Sequence, residues 1–256
     1  MIFLESILSD EFNVKPTIIV DQYEAASKTS GTAQNYNGLA IHALPGLHEF
    51  IFSKVEEIVS SGSRVLELAA GSGAMSLRLK NHGFQVTATD YVSSNFRLHG
   101  SIPFFEADLN GNFSLGYEEM FDAIVATEII EHLENPRHFS RQCFKMLKNG
   151  GKIIFSTPNI DSAASIVSHI RCGTYQWFSD ADYAHDGHIT PLMQWQIDKC
   201  FTEAGFEFVY KGSFGDPYER FGGSPRLVLF SKFINRISAL KEELKKQIFV
   251  AAAEKH

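Results

Sequence analysis

Glu128, Glu131 and His132 stand at positions i, i+3 and i+4 near the middle of the chain. On a helical turn that spacing predicts two carboxylates and an imidazole on one face. Such a set can hold a divalent ion, with the acids favouring a hard one such as Mg²⁺. His132 can instead act as a neutral base near pH 7, or simply pack beneath a site. Three further acids, Glu67, Asp90 and Asp108, lie in or at the end of short apolar runs. Glu67 is followed by Ala69-Ala70-Gly71-Ser72-Gly73 and then by an apolar period resuming at Met75, Leu77 and Leu79. This reads as strand, Gly-rich turn, helix. Glycines there let the backbone approach a ligand, and helix N–H groups point into the crevice at the sheet's carboxyl edge. A nucleotide-like ligand is expected. A dinucleotide fingerprint needs a third Gly, where this chain has Ser76, so a nicotinamide cofactor is disfavoured.

The elements that must position these groups follow from periodicity. Residues 46–60 read as an amphipathic helix and 65–68 as the first strand. The second strand, 84–89, ends at Asp90, one βαβ unit after Glu67, where an acid can accept hydrogen bonds from ribose hydroxyls. The third is expected over 102–109 and the fourth over 121–127, a near-continuous apolar run suited to a central parallel strand. Asn135 as N-cap with Pro136 behind it predicts a helix to Leu147, ended by Asn149-Gly150-Gly151 before a strand over 152–156. Further helices are expected over 161–170, from a Thr190-Pro191 cap to Ala204, and over 225–246. Strands are expected over 206–214 and 247–253. The alternation predicts an α/β fold, a doubly wound Rossmann-like sheet with helices on both faces.

The pattern acidic-x-small-x-Gly-x-Gly (Glu67, Ala69, Gly71, Gly73) resembles motif I of the class I S-adenosylmethionine (SAM)-dependent methyltransferases, with Ala69 where that family usually has Gly. The stretch TEIIEHLENPRHFSRQCFKMLKNGGKIIFSTPNI resembles the subgroup of ubiquinone-pathway O-methyltransferases and polysaccharide-cluster methyltransferases and, more distantly, the small-RNA 2′-O-methyltransferases. The resemblance implies seven strands, mostly parallel with an antiparallel last strand. It implies SAM as cofactor, with Glu67, Ala69, Gly71 and Gly73 at the methionine end and Asp90 and Tyr91 at the ribose. Asp108 and Leu109 would meet the adenine, and Thr127 and Glu128 would line the sulfonium. It also implies a metal set of Glu128, Glu131 and His132 completed by a downstream His, for which His185 and His188 are the candidates; otherwise His132 or His188 serves as catalytic base. The implied activity is O-methylation of a small-molecule, sugar or lipid-linked acceptor. Small-RNA 2′-O-methylation and non-catalytic SAM binding are the alternatives.

Net charge is −7, so no basic field invites nucleic acid. Cys143, Cys172 and Cys200 are far apart and form neither a disulfide framework nor a CxxC site, which suggests a reducing compartment. MIFLESILSDEF lacks a basic start and a long apolar run, so no signal peptide or membrane span is expected, and the expected location is cytoplasmic. Residues 1–45 are expected to cap the SAM-binding domain of residues 46–256, with Tyr36 and His42 read first as surface or core packing and, alternatively, as residues that reach the site. Residues 171–189 would form a lid, and 212–246 an insertion whose apolar helix packs on the domain, on a second subunit as a homodimer, or on a membrane surface or lipid substrate.

Overall fold

A computed structural model describes residues 34–256; the first 33 residues of the expected cap lie outside the described residues. Seven strands form one sheet: β1 (Arg64–Leu68), β2 (Gln85–Asp90), β3 (Phe104–Glu106), β4 (Phe121–Ala126), β5 (Leu147–Pro158), β6 (Phe206–Phe214) and β7 (Ile248–Lys255). Their order is β3-β2-β1-β4-β5-β7-β6. β7 runs antiparallel to both neighbours, while the pairings from β3 to β5 are parallel. Strand order reverses at β1, which opens a crevice at the carboxyl ends of β1 and β4.

Both faces of the central strands are apolar because helices cover both. Leu66, Leu68, Ile124, Ala126, Ile153 and Phe155 pack with Phe139, Cys143 and Met146 of α3 (Pro136–Met146) and Ile197 and Phe201 of α6 (Gln194–Ala204). The alternate residues Val65, Ala123, Val125 and Ile154 pack with Leu47, Ile51 and Val55 of α1 (Leu47–Ile58) and Met75 and Leu79 of α2 (Ala74–Asn81). Glu67 falls on this second face by the period of two. That leaves a carboxylate buried against α2, where Ser76 Oγ donates to it. The remaining helices are α4 (Ala163–Cys172), α5 (Asp180–Asp186) and α7 (Pro225–Ile237).

Several boundaries depart from the sequence expectation. β3 is only three residues long, as an edge strand paired to Ala88–Asp90 alone. β5 begins at Leu147, and residues 148–151 bulge out between the Phe121–Leu147 and Ala123–Lys152 pairings instead of separating helix from strand. The expected lid contains α5, capped by Ser179 and Asp182. Thr190 does not start α6. Its N–H and hydroxyl are spent on the carbonyls of Glu131 and Leu133, and Asp161, 33 residues earlier, accepts from the Gln194 N–H (2.7 Å) at the helix start. α7 stops at Ile237 rather than continuing to Lys246, because the next segment is captured elsewhere. Ser213 Oγ donates to the Glu243 carbonyl (2.6 Å) and Asn159 Nδ2 to those of Leu244 and Lys246. β7 begins at Ile248. Among the described residues no helix is long and apolar enough to cross a membrane.

Candidate active site

A cavity of about 840 Å³ occupies the crevice. Its walls come from the segments that follow β1 (Ala69, Gly71, Ser72), β2 (Asp90, Tyr91), β3 (Asp108, Leu109) and β4 (Thr127, Glu128). Residues 38–45 roof it. Their backbone is tied down by Ser72 Oγ donating to the Ala40 carbonyl (2.7 Å) and by Gln34, whose side chain bonds Ala43 and Gly46. His42 lines the cavity, the less favoured of its two readings. Tyr36 does not; it lies under the Arg78 guanidinium, 4.3 Å from its ring centre.

The turn after β1 needs left-handed backbone at Ala69 (φ 56), Gly71 (φ 51) and Gly73 (φ 92). At Gly71 a Cβ would meet nothing within 4 Å, so the chain there is open to the cavity. Gly73 has a different role. A Cβ would sit 2.9 Å from Phe96 and Leu98, so this glycine permits close packing at the start of α2 and does not itself line the cavity. Ala69 pays for its methyl with left-handed strain of about 1 kcal/mol. Asp90 is fixed through both oxygens, Oδ2 accepting from Gly71 N–H (2.8 Å) and Oδ1 from Val92 N–H (2.9 Å). Burial raises its pKa and those N–H groups oppose the rise. Asp108 Oδ1 accepts from Asn110 N–H (2.9 Å), which leaves Oδ2 for a ligand.

Glu67 does not reach the main cavity. It lines an adjoining compartment of about 50 Å³ together with His48 and Thr127. Burial pushes the Glu67 carboxyl up to about 8 and, aided by the Arg78 charge, pushes His48 down to about 4. His48 escaped the sequence reading. Its signal was a polar ring beside the buried face of α1, between Leu47 and Ile51.

The other half of the cavity departs from the expected helical face. Glu128 is left-handed (φ 50) and precedes a single 3-10 turn, Ile130–His132. Its carboxylate accepts from Ser156 Oγ (2.7 Å), and its own N–H donates back to that oxygen (3.1 Å). The group that does come together is Glu131, His132 and His188, each offering a ligand atom within 4.8 Å of the others. Burial raises the pKa of Glu128 and, reinforced by the Glu128 charge, that of Glu131. Burial and the neighbouring His188 drive His132 down to about 3, and burial lowers His188 as well. Both imidazoles are therefore neutral at pH 7, edge to face with centres 4.8 Å apart. Glu131 Oε2 accepts from Thr157 Oγ1 (3.0 Å), while the buried Oε1 has no hydrogen-bond partner among the described residues. An orphaned carboxylate oxygen beside neutral imidazoles fits a divalent cation.

His188 is aimed by Trp177 and, through it, by Arg220 of a separate segment. Its Nδ1 lies 2.8 Å from the Trp177 carbonyl. A carbonyl can only accept, so Nδ1 carries the proton and Nε2 is left as acceptor or ligand. Trp177 is itself left-handed (φ 71), and Arg220 stacks over its ring at 4.0 Å while binding Asp182 of α5 at 2.6 Å. Arg220 and Trp177 were not legible as site residues, because a lone Arg in one loop and a Trp in another carry no shared spacing. His185 and Asp186 sit exposed at the cavity's edge.

Comparison with known proteins agrees with this fold. Residues 42–211 match the methyltransferase domain family, and the chain belongs to the class I SAM-dependent methyltransferases. It is 29% identical over 159 residues to a ubiquinone biosynthesis O-methyltransferase of Coxiella burnetii, a match covering 55% of this chain and 64% of that protein. It is 33% identical over 132 residues to the enzyme of the same name from Xanthomonas oryzae pv. oryzae, covering 48% and 54%. The matches thus span less than two thirds of these relatives' own length. Its fold is that of an S-adenosylmethionine-dependent methyltransferase from Mesorhizobium loti (TM-score 0.57, 16% identity, 81% of this chain and 96% of that one).

Proposed function

We propose that this protein transfers a methyl group from SAM to a hydroxyl oxygen of a small-molecule, sugar or lipid-linked acceptor. The observation that carries the reading is one continuous cavity whose first half is lined by Asp90, Asp108 and the open turn at Gly71, and whose second half is lined by His132 and His188. SAM supplies a methyl group already activated by a sulfonium, so the protein's task is mainly alignment and exclusion of water. Asp90 and Asp108 would accept hydrogen bonds from the ribose and adenine, with Tyr91 and Leu109 alongside. Thr127 and Glu128 would line the reacting centre, and Glu67 would face the methionine end across the small compartment. The roof of residues 38–45 and the segment carrying Trp177 and His185 exclude solvent.

An oxygen acceptor must lose a proton. His188 is neutral, with Nε2 free to take it. Glu131, His132 and His188 could alternatively hold a divalent ion, which would supply a Lewis acid lowering the acceptor's pKa; His185 would then lie outside the ligand set. The relatives named as O-methyltransferases support an oxygen acceptor.

The test is transfer of labelled methyl from SAM into extract of the source cells, fractionated into lipid, polysaccharide, RNA and small molecules, with and without EDTA. Label in a lipid, glycan or small-molecule fraction is expected. Loss with EDTA supports the Glu131–His132–His188 ion, and EDTA-resistant label removes it and leaves a histidine base. Label in RNA, or SAM binding without any label, overturns the proposed acceptor class or the catalytic reading respectively.

A further inference from the structure

We propose that α7 is a docking surface for an anionic lipid bilayer. Eleven large apolar side chains are exposed among the described residues, and four lie on this one helix: Leu229 (71% exposed), Phe230 (45%), Phe233 (58%) and Ile237 (70%). Positions 229, 233 and 237 repeat every four residues, with 230 beside them, so they form one stripe. The opposite side is already used, since α7 packs against α4 and buries Ser231. Among the described residues nothing covers the stripe, and contiguous exposed apolar surface of this kind marks an interaction site.

Charge identifies the partner. α7 carries Arg226, Lys232 and Arg236, all exposed, and no acidic residue. None of the three has a carboxylate within ion-pair distance among the described residues, although the chain as a whole is at −7. A helix with aromatic and aliphatic residues along one stripe and unpaired cations beside it is suited to lie in the plane of a bilayer surface. The same feature argues against a second copy of this chain. A two-fold contact sets a patch against itself, which would bring two sets of three cations together with no acidic residue on either copy of α7.

Docking would also bring the site toward the lipid, since Arg220, which grips Trp177 over the cavity, lies in the turn just before α7. A lipid-linked acceptor is the consequence. That consequence rests on the methyl-transfer reading, whereas membrane docking does not.

The test is flotation of the full chain, without SAM, with vesicles of phosphatidylcholine alone or with about one-third phosphatidylglycerol. Binding is expected to the anionic vesicles and to weaken with added salt. Leu229→Ser with Phe233→Ser, and separately Arg226→Gln with Arg236→Gln, should each lower partitioning about tenfold or more. Unchanged melting temperature and SAM affinity would show that these surface variants fold. Binding indifferent to lipid charge or to these substitutions overturns the proposal. So does a dimer in sedimentation that the Leu229/Phe233 variant dissolves while vesicles bind nothing. Vesicle binding with no methyl transfer would leave docking standing and remove the catalytic reading alone.

Discussion

The two halves of the cavity are built on different principles. The half proposed for the cofactor is made of strand ends and the turns that leave them. Asp90, Asp108 and the Gly71 backbone are each within a few residues of a paired strand, so sheet hydrogen bonding sets their positions. The half proposed for the acceptor hangs on loops. Glu128 and Glu131 follow β4 through a left-handed residue and a single 3-10 turn, and His188 is oriented by Trp177, which Arg220 holds from another segment. On the proposed assignment, rigid elements would hold the cofactor and loops would shape the acceptor's side of the cavity.

If the halves are functionally distinct, damage to one should leave the other's readout intact. The largest effect is expected from His188→Ala. Turnover should fall about 100- to 10,000-fold, while SAM affinity by calorimetry stays within about threefold. Equal losses in both would erase the distinction. Asp90→Ala should act in reverse, weakening SAM binding about 100-fold through lost charge-assisted hydrogen bonds and slowing turnover at saturating SAM far less.

A third expectation concerns the buried acid behind the cofactor half. The Glu67 pKa is raised to about 8, so its contribution to stability is present below the unfolded carboxyl pKa and is lost as pH rises toward 8. Denaturant titrations from about pH 5 to about pH 7 should show the parent protein losing about 2 kcal/mol relative to Glu67→Gln. Parallel pH profiles would mean that the carboxyl is not perturbed.

Arg220→Ala should lower turnover about tenfold, since it loosens His188 without removing it, and should leave SAM affinity unchanged. If Arg220 aims His188, the change appears in kcat and its pH profile, whereas a purely structural role would move only the melting temperature. The smallest effect belongs to Ala69→Gly. Relief of left-handed strain is offset by the added backbone freedom of glycine, so stability should change by less than about 1 kcal/mol, with SAM binding equal or tighter.

Legibility in the sequence followed the same division. Gly71 and Asp90 were readable because strand, turn and helix are local events with periods of 2 and 3.6, and a ligand at the carboxyl edge follows from that alternation; Asp108 was readable as a ligand residue only through the family resemblance. The expected face of Glu128, Glu131 and His132 failed where a local rule met a tertiary partner. Ser156 on β5 takes the Glu128 carboxylate, and backbone bonds from Ile189 and Thr190 to Glu131 claim residues that would otherwise have capped the next helix.

Composition and spacing, then, carried the doubly wound sheet, the cofactor turn and the family resemblance, because each depends on contacts within one βαβ unit. Folding alone settled which histidine meets His132, which arginine steadies it, where α7 ends, and that its apolar stripe stays uncovered by the described residues. Those outcomes depend on pairs of residues tens of positions apart, and the free energy of such a pair belongs to neither residue's local pattern.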